Sequence, residues 1–513
     1  MKKILILIIT ILCVSLLVSC NIKEQVESLS DQLRDAIIDG MGDFIIKDTG
    51  SSDTEVDGDN VPSLPDSSPE SDSQITPDAS DTPSDEVISS DAPSVPDIPD
   101  EPDEPEIPEV PEYILLERTR YPLNKYIGLS IIKSNPNIND REYKFKTAYD
   151  YGRYETTLDD ALGSNPLTYF KISGIESSIL LDLDLSIVTG EPSEGEVSYT
   201  EVASKVHEFA KQYCSADSFI SNLRRIEIGT SPETKLPARS YAHLLNFIYD
   251  NECKQNGEIK GTTFINPEIR LVAGKMATYN LGYIKKLMEE IAISRADSFL
   301  PIGGWSFSSS TGGMCPEDCF LNNTDLKNII DYRNESYDSI EIYLSDFGWD
   351  TVNSESESYV APINGYTSEE IQAMYLLRAY LILNGMDVDK VAYGTLNDTD
   401  SNGEGIIAEN RTKKLAFSVL EFFKAKATNM YLSDIVENGE NDIYCYKLTN
   451  ENGKTIYAVW SKSDNTYEMS GISGDIIVST YNKDKGKYIE ANQSVDTALT
   501  INTTGFVTFV EIN

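Results

Sequence analysis

Beyond residue 112 the chain alternates short runs rich in β-branched and aromatic residues with longer amphipathic runs. Eight strands are predicted, at Tyr126–Ile132, Lys144–Tyr149, Ser178–Leu185, Arg225–Gly229, Arg270–Gly274, Phe299–Phe307, Ser339–Ser345 and Lys390–Leu396. Helical spacing fills most of the gaps, at Thr200–Tyr213, Ser240–Tyr249 and Ser368–Leu383. The last is the clearest: Thr367 can cap it, Glu370 stands three residues on, and Gly385 follows its end. Eight alternating units over ~300 residues predict a (β/α)8 barrel across residues 113–427. The rival, an open doubly wound sheet, lacks a Gly-x-Gly-x-x-Gly turn after an early strand. Six short strands follow in residues 428–513: Tyr444–Leu448, Thr455–Trp460, Gly474–Ser479, Lys487–Glu490, Ala498–Ile501 and Val507–Ile512. Asn452-Gly453 marks a hairpin turn there. That pattern predicts a small antiparallel β-sandwich.

The first 112 residues follow other rules. Lys2 and Lys3 precede an apolar run from Ile4 to Leu17, the layout of a secretion signal over residues 1–20. The run is short for a membrane span. Residues 21–48 hold Ile22, Val26, Leu29, Leu33 and Ile37 at helical steps, which suits either a self-associating stalk or a lone amphipathic helix. Residues 49–112 are Asp, Ser, Pro and Glu with few large apolar groups. Such a segment cannot bury enough surface to offset ordering entropy, so it is read as a disordered spacer, reaching up to ~200 Å at ~3.1 Å per residue.

Charge sharpens the picture. The chain carries 84 Asp+Glu against 42 Lys+Arg, a net charge of −42. A polyanion of that size is repelled by phosphate backbones, which argues against nucleic acid as a partner. Only two histidines, His207 and His243, are present, and both fall in helical runs. No multi-histidine metal centre and no Ser/His/Asp triad can be built from them. Cys315 and Cys319 stand four apart in a Gly-rich loop and are a candidate disulfide pair. Asp398, Asp400, Asn402 and Glu409 occupy positions one, three, five and twelve of a calcium-loop pattern, although a strand precedes them rather than a helix. Structural Ca2+ is therefore a possible cofactor; none is required.

In a barrel, functional groups lie at the C-terminal ends of the strands. Strand four ends in Gly229-Thr230-Ser231-Pro232-Glu233, strand six in Trp305-Ser306-Phe307-Ser308-Ser309-Ser310, strand seven in Ser345-Asp346-Phe347-Gly348-Trp349-Asp350, and strand eight in Leu396-Asn397-Asp398. With Glu227, Gly274, Gln372-Ala373, Arg378 and Val459-Trp460-Ser461, these residues resemble the clan A retaining glycoside hydrolases, of the xylosidase and iduronidase kind. Leu17-Val18-Ser19-Cys20 likewise resembles a bacterial lipoprotein cleavage box, which implies Cys20 as the lipidated N-terminus, a membrane anchor and a place in the cell envelope, extracytoplasmic or at the cell surface.

The resemblance implies a carbohydrate partner and assigns roles by position. Ser231 stands where the family has its acid/base glutamate, and Thr230 where it has the preceding Asn. Asp346 stands at the nucleophile, and Ser308, Ser309 and Ser310 replace the strand-six His and Tyr. Trp305, Trp349, Ser308, Thr230 and Asn397 are candidate sugar contacts, with the two tryptophans either a stacking wall or rim packing. Serine is too weak an acid to protonate a leaving group, and losing general acid catalysis costs ~10²–10⁴ in rate. Asp346 keeps the charge but is one methylene short. Glu233, two residues past Ser231, is the candidate rescue acid. Three functions follow: a pseudoenzyme that binds a glycan in its former cleft, an active glycosidase with Asp346 as nucleophile and a displaced acid, or a structural surface protein.

Overall fold

The computed structural model describes residues 118–132, 147–159, 176–185, 188, 196–214, 223–250, 262–266, 268–295, 299–399 and 401–512. The signal segment with Cys20, the helix over 21–48, the linker over 49–112 and Asp400 lie outside these residues. No helix among the described residues is long and apolar enough to cross a membrane.

Eight parallel strands close into a barrel in sequence order: β1 (Ile127–Ile132), β2 (Tyr151–Thr157), β3 (Glu176–Asp182), β4 (Leu223–Thr230), β5 (Arg270–Met276), β6 (Gly304–Ser308), β7 (Glu341–Asp346) and β8 (Lys390–Tyr393). Helices α1 (Glu196–Tyr213), α2 (Ala238–Asp250), α3 (Leu281–Ser294), α4 (Thr324–Ser336) and α5 (Ser368–Gly385) stand between successive strands from β3 onward, and α6 (Leu415–Lys426) follows β8. The barrel is as expected. In α5, Thr367 Oγ1 accepts from the Glu370 amide while the Glu370 carboxylate accepts from the Thr367 amide, the reciprocal cap that the sequence pattern called for.

One strand was misplaced. The second lies at Tyr151–Thr157, not at Lys144–Tyr149. Its inward positions are Tyr151, Arg153 and Glu155, so a search for apolar alternation passes over it. Charged side chains recur elsewhere in the interior. Barrels of this kind are commonly filled by layers of branched apolar side chains. Here the lower layer holds Arg225, Glu341, Glu176, Tyr121, Tyr343 and Lys390, joined by ion pairs and hydrogen bonds. Apolar residues of β6 and β7, such as Trp305, Phe307, Ile342 and Leu344, are buried in the hydrophobic core.

The C-terminal part is a six-stranded antiparallel sheet in the order β14-β13-β16-β11-β10-β9, with a two-stranded β12-β15 ladder. Its strands are β9 (Tyr431–Asn438), β10 (Tyr444–Thr449), β11 (Thr455–Trp460), β12 (Asn465–Ser470), β13 (Gly474–Asn482), β14 (Lys487–Val495), β15 (Ala498–Thr503) and β16 (Thr508–Ile512). Val459, Ile476 and Val510 of the sheet and Met469, Leu499 and Ile501 of the ladder share one small core. β9 and β12 were not expected. In β9 the apolar residues come in adjacent pairs, Tyr431-Leu432 and Ile435-Val436, and β12 has only Tyr467 and Met469 among polar residues, so neither shows clean apolar alternation. One buried carboxylate bonds to both sheet and barrel: Glu317 accepts from Arg378 Nε at 2.8 Å and from Trp460 Nε1 at 2.7 Å, all three side chains being buried.

Candidate active site at the barrel mouth

β4 carries Glu227 inward and then turns sharply. Gly229 has φ 79° and Ser231 φ 50°. A Cβ at Gly274 would lie 1.9 Å from the Gly229 carbonyl oxygen, so β4 and β5 approach closely only because Gly274 has none. The turn places Ser231 beside β5, its amide donating to the Lys275 carbonyl at 2.7 Å. Asp346 ends β7 and is half-buried, with Ser308 as its register partner on β6. Ser231, Thr230, Ser308 and Asp346 thus share one end of the barrel.

Lys275 joins them. It leaves the end of β5 and reaches across the mouth, with Nζ 2.9 Å from Glu155 Oε2 on β2 and 3.3 Å from Asp346 Oδ2 on β7. Two carboxylate oxygens on one ammonium cannot be farther apart than the two distances together, about 6 Å. Glu155 Oε2 also accepts from Arg153 Nη1 at 3.3 Å. Burial pushes the Glu155 carboxyl up, but Arg153 and Lys275 outweigh it and hold it below the ordinary carboxylate range.

Beneath this row lies a buried polar layer. Arg153 grips Glu227 with two prongs, Nε to Oε1 at 2.9 Å and Nη2 to Oε2 at 3.0 Å. Ser306 and Ser345 donate to Glu227 Oε2 at 2.9 and 3.2 Å, and Ser130 accepts from Arg153 Nη1 at 3.2 Å. All five side chains are buried. Glu227 therefore orients its neighbours from inside the barrel, in line with its expected inward position.

A further carboxyl stands near Asp346. Glu404, in the loop after β8, accepts from Ser358 Oγ. Its carboxyl lies over Gly348 and Gly394, and a Cβ at Gly348 would meet it at 2.8 Å. Burial, with Asp346 and Asp350 nearby, pushes it above the ordinary range although Ser358 and Asn402 pull the other way.

Other expected site residues are placed elsewhere. Trp305 is fully buried and stacked on Tyr332. Trp349 is fully buried among Phe320, Phe347, Tyr375 and Tyr393, with Nε1 donating to the Met314 carbonyl. Neither offers a face to a sugar, so the stacking wall is not formed by these rings. Glu233 is held just past the end of β5: Oε1 accepts from the Ala277 amide at 2.6 Å, while Oε2 is buried without a hydrogen-bond partner. Thr230 Oγ1 is buried without a hydrogen-bond partner, and Asn397 is half-buried in a bridge to Ile407.

Within the calcium pattern, Asp398 is paired with a side-chain cation. Lys414 Nζ lies 3.1 Å from both oxygens of Asp398, 2.8 Å from Thr351 Oγ1 and 2.7 Å from the Gly403 carbonyl. Asn402 Oδ1 accepts from the Glu404 amide and Glu409 is exposed. Among the described residues no group of three or more His, Cys, Asp or Glu is placed to hold a metal ion. Cys315 and Cys319 are both free thiols, Cys315 Sγ lying 3.0 Å from Asp318 Oδ2.

No protein-family model matches the chain, and no curated protein does. Solved structures do. A family 39 glycoside hydrolase from the gut symbiont Bacteroides cellulosilyticus WH2 superposes with a TM-score of 0.57 at 15% identity, over 79% of this chain and 83% of that one. The GH39 enzyme of Xanthomonas axonopodis pv. citri aligns at 0.46 and 13% identity over 77% and 96%, and the GH51 arabinofuranosidase of the same organism at 0.47 and 9% over 77% and 98%. The first likeness shows the fold and not the activity; the other two, below 0.5, add nothing to it. The barrel with a C-terminal antiparallel sheet, which the sequence resemblance implied, is the fold observed.

Sequence reading missed Arg153, Glu155, Lys275 and Glu404. The first two lie in the misplaced strand. Lys275 directly follows Gly274, one residue beyond the predicted end of strand five. Glu404 was hidden inside the calcium pattern.

Proposed function

We propose that this chain is an exported glycoside-hydrolase-like protein, anchored in the cell envelope by lipid on Cys20, whose barrel mouth binds a glycan without cleaving it. The observation that carries this reading is Lys275 between Glu155 and Asp346. Retaining hydrolysis needs a free carboxylate nucleophile and a protonated carboxyl ~5–5.5 Å away. Here the nucleophile position is ion-paired, and Ser231 provides no acid. A row of carboxylate, ammonium and carboxylate, with Ser231 and Ser308 beside it, instead supplies donors and acceptors for sugar hydroxyls.

One observation favours catalysis. Glu155 is a second carboxyl within about 6 Å of Asp346. It fails as proton donor because Arg153 and Lys275 hold it ionised. Glu404 is pushed toward the protonated form, yet it sits over Gly348, just past the end of Asp346's own strand, rather than across the mouth from it.

A panel of polysaccharides and aryl glycosides tests the proposal. Binding without product release is the expected result. Activated aryl glycosides, such as nitrophenyl glycosides, need no protonation of the leaving group, so turnover that Asp346→Ala abolishes would establish the catalytic reading instead.

A further inference from the structure

We infer that Lys275, Glu155 and Asp346 act as a charge filter, making the mouth a site for glycans without carboxylate, sulfate or phosphate groups. The inference rests on the glycan-binding reading and adds the ligand's chemical class and the residues that set it.

Three charged side chains of this group have access to solvent: Asp346 at 30% exposure, Glu155 at 20% and Lys275 at 12%. The one cation among them is flanked by a carboxylate on each side. Arg153 is completely buried, with two nitrogens on Glu227 and a third on Glu155. Glu404 adds a further carboxyl beside Asp346. An anionic substituent entering here would have to draw Lys275 away from a carboxylate. It would then face that carboxylate uncompensated, in a half-buried place where like charges are poorly screened.

A sugar hydroxyl meets no such conflict. It donates to Glu155 or Asp346 and accepts from Lys275, so it joins the row without changing its charge. The buried layer below keeps the row in place. Arg153 holds Glu155 from one side, and Glu227 with its serines holds Arg153. Lys275 is thus a specificity-determining residue, and its selectivity depends on both flanking acids.

The test is calorimetric titration of the whole chain at low ionic strength. The probes are neutral xylo- and gluco-oligosaccharides and an oligogalacturonate of equal length. The wild type is expected to bind a neutral probe at least tenfold more tightly than the uronate. Asp346→Asn is nearly isosteric and frees one side of Lys275, so it should raise uronate affinity and narrow the ratio. Lys275→Met should widen it, with thermal melts confirming that both variants fold. Equal or tighter uronate binding by the wild type overturns the filter while leaving the glycan reading intact, as does a ratio that Asp346→Asn and Lys275→Met both leave unmoved. Absence of binding to every probe by the wild type and both variants overturns the glycan reading itself.

Discussion

Arg153 and Glu227 form a two-pronged ion pair inside the barrel, at 2.9 and 3.0 Å. Both side chains are buried, so neither charge has water to fall back on. Removing one partner strands the other, at a cost of about 3–5 kcal/mol, whereas replacing both with apolar groups often costs little. Arg153→Met should lower unfolding stability by about that much. The double variant Arg153→Met/Glu227→Leu should be less destabilised than the two single losses added, because the stranded charge is gone. Urea unfolding of the four proteins measures this, and additive losses would show that the two residues do not act as a pair.

Lys275 is proposed above to block the nucleophile position, and that role is separable from the missing acid. Ser231→Glu supplies a carboxyl on β4 but leaves Lys275 on Asp346, so no turnover of aryl or natural glycosides is expected from it alone. Ser231→Glu combined with Lys275→Met should give measurable hydrolysis, above either single variant. If Ser231→Glu alone matches the double variant, then Lys275 is not the obstacle.

The Asp398 loop makes a contrasting case. Its carboxylate is satisfied by Lys414, a buried ammonium with four oxygens around it. Chelator treatment should leave the melting temperature unchanged. Lys414→Met should destabilise the chain by about 3–5 kcal/mol, since it leaves Asp398 buried and unpaired. A rise in melting temperature with added calcium in the wild type would contradict this assignment.

What the sequence revealed, and what it concealed, follows from how the interior is built. Outward-facing residues of the strands obey ordinary hydrophobic patterning, which is why the strands near Arg225, Arg270 and Ser339 could be read within a few residues of their observed starts. Several inward residues here are charged or hydroxylic, and a rule that looks for apolar alternation cannot see Arg153 and Glu155. The motif Asp346-Phe347-Gly348-Trp349 pointed to the right end of the barrel, but not to the ring orientations. Trp349 turns into the core because four aromatic neighbours, Phe320, Phe347, Tyr375 and Tyr393, wait there, a fact of tertiary packing. The charge row could not be read because its three members come from β2, β5 and β7, and only closure of the barrel brings them together.

The floor of the barrel sets the response to pH. Burial raises the Glu176 carboxyl, but Lys390 and Arg225 pull harder and hold it at about 2. An unfolded Glu titrates near ~4.3. A carboxyl depressed in the folded state contributes stability that is fully present above the unfolded value and is lost as pH falls through the folded one. The window is therefore from ~4.3 down to about 2, and the contribution is on the order of 3 kcal/mol. Lys390 has the same direction of shift, and so the same rise of stability with pH, in an alkaline window. Burial presses it down to about 8, although Glu176 and Glu341 draw it up. An unfolded Lys holds its proton to ~10.4, so stability should rise with pH between about 8 and that value. Urea midpoints followed from pH 2 to pH 11 should show both limbs. Glu176→Gln should flatten the acid limb and Lys390→Met the alkaline one, and a variant that left its limb unchanged would remove that residue from the account.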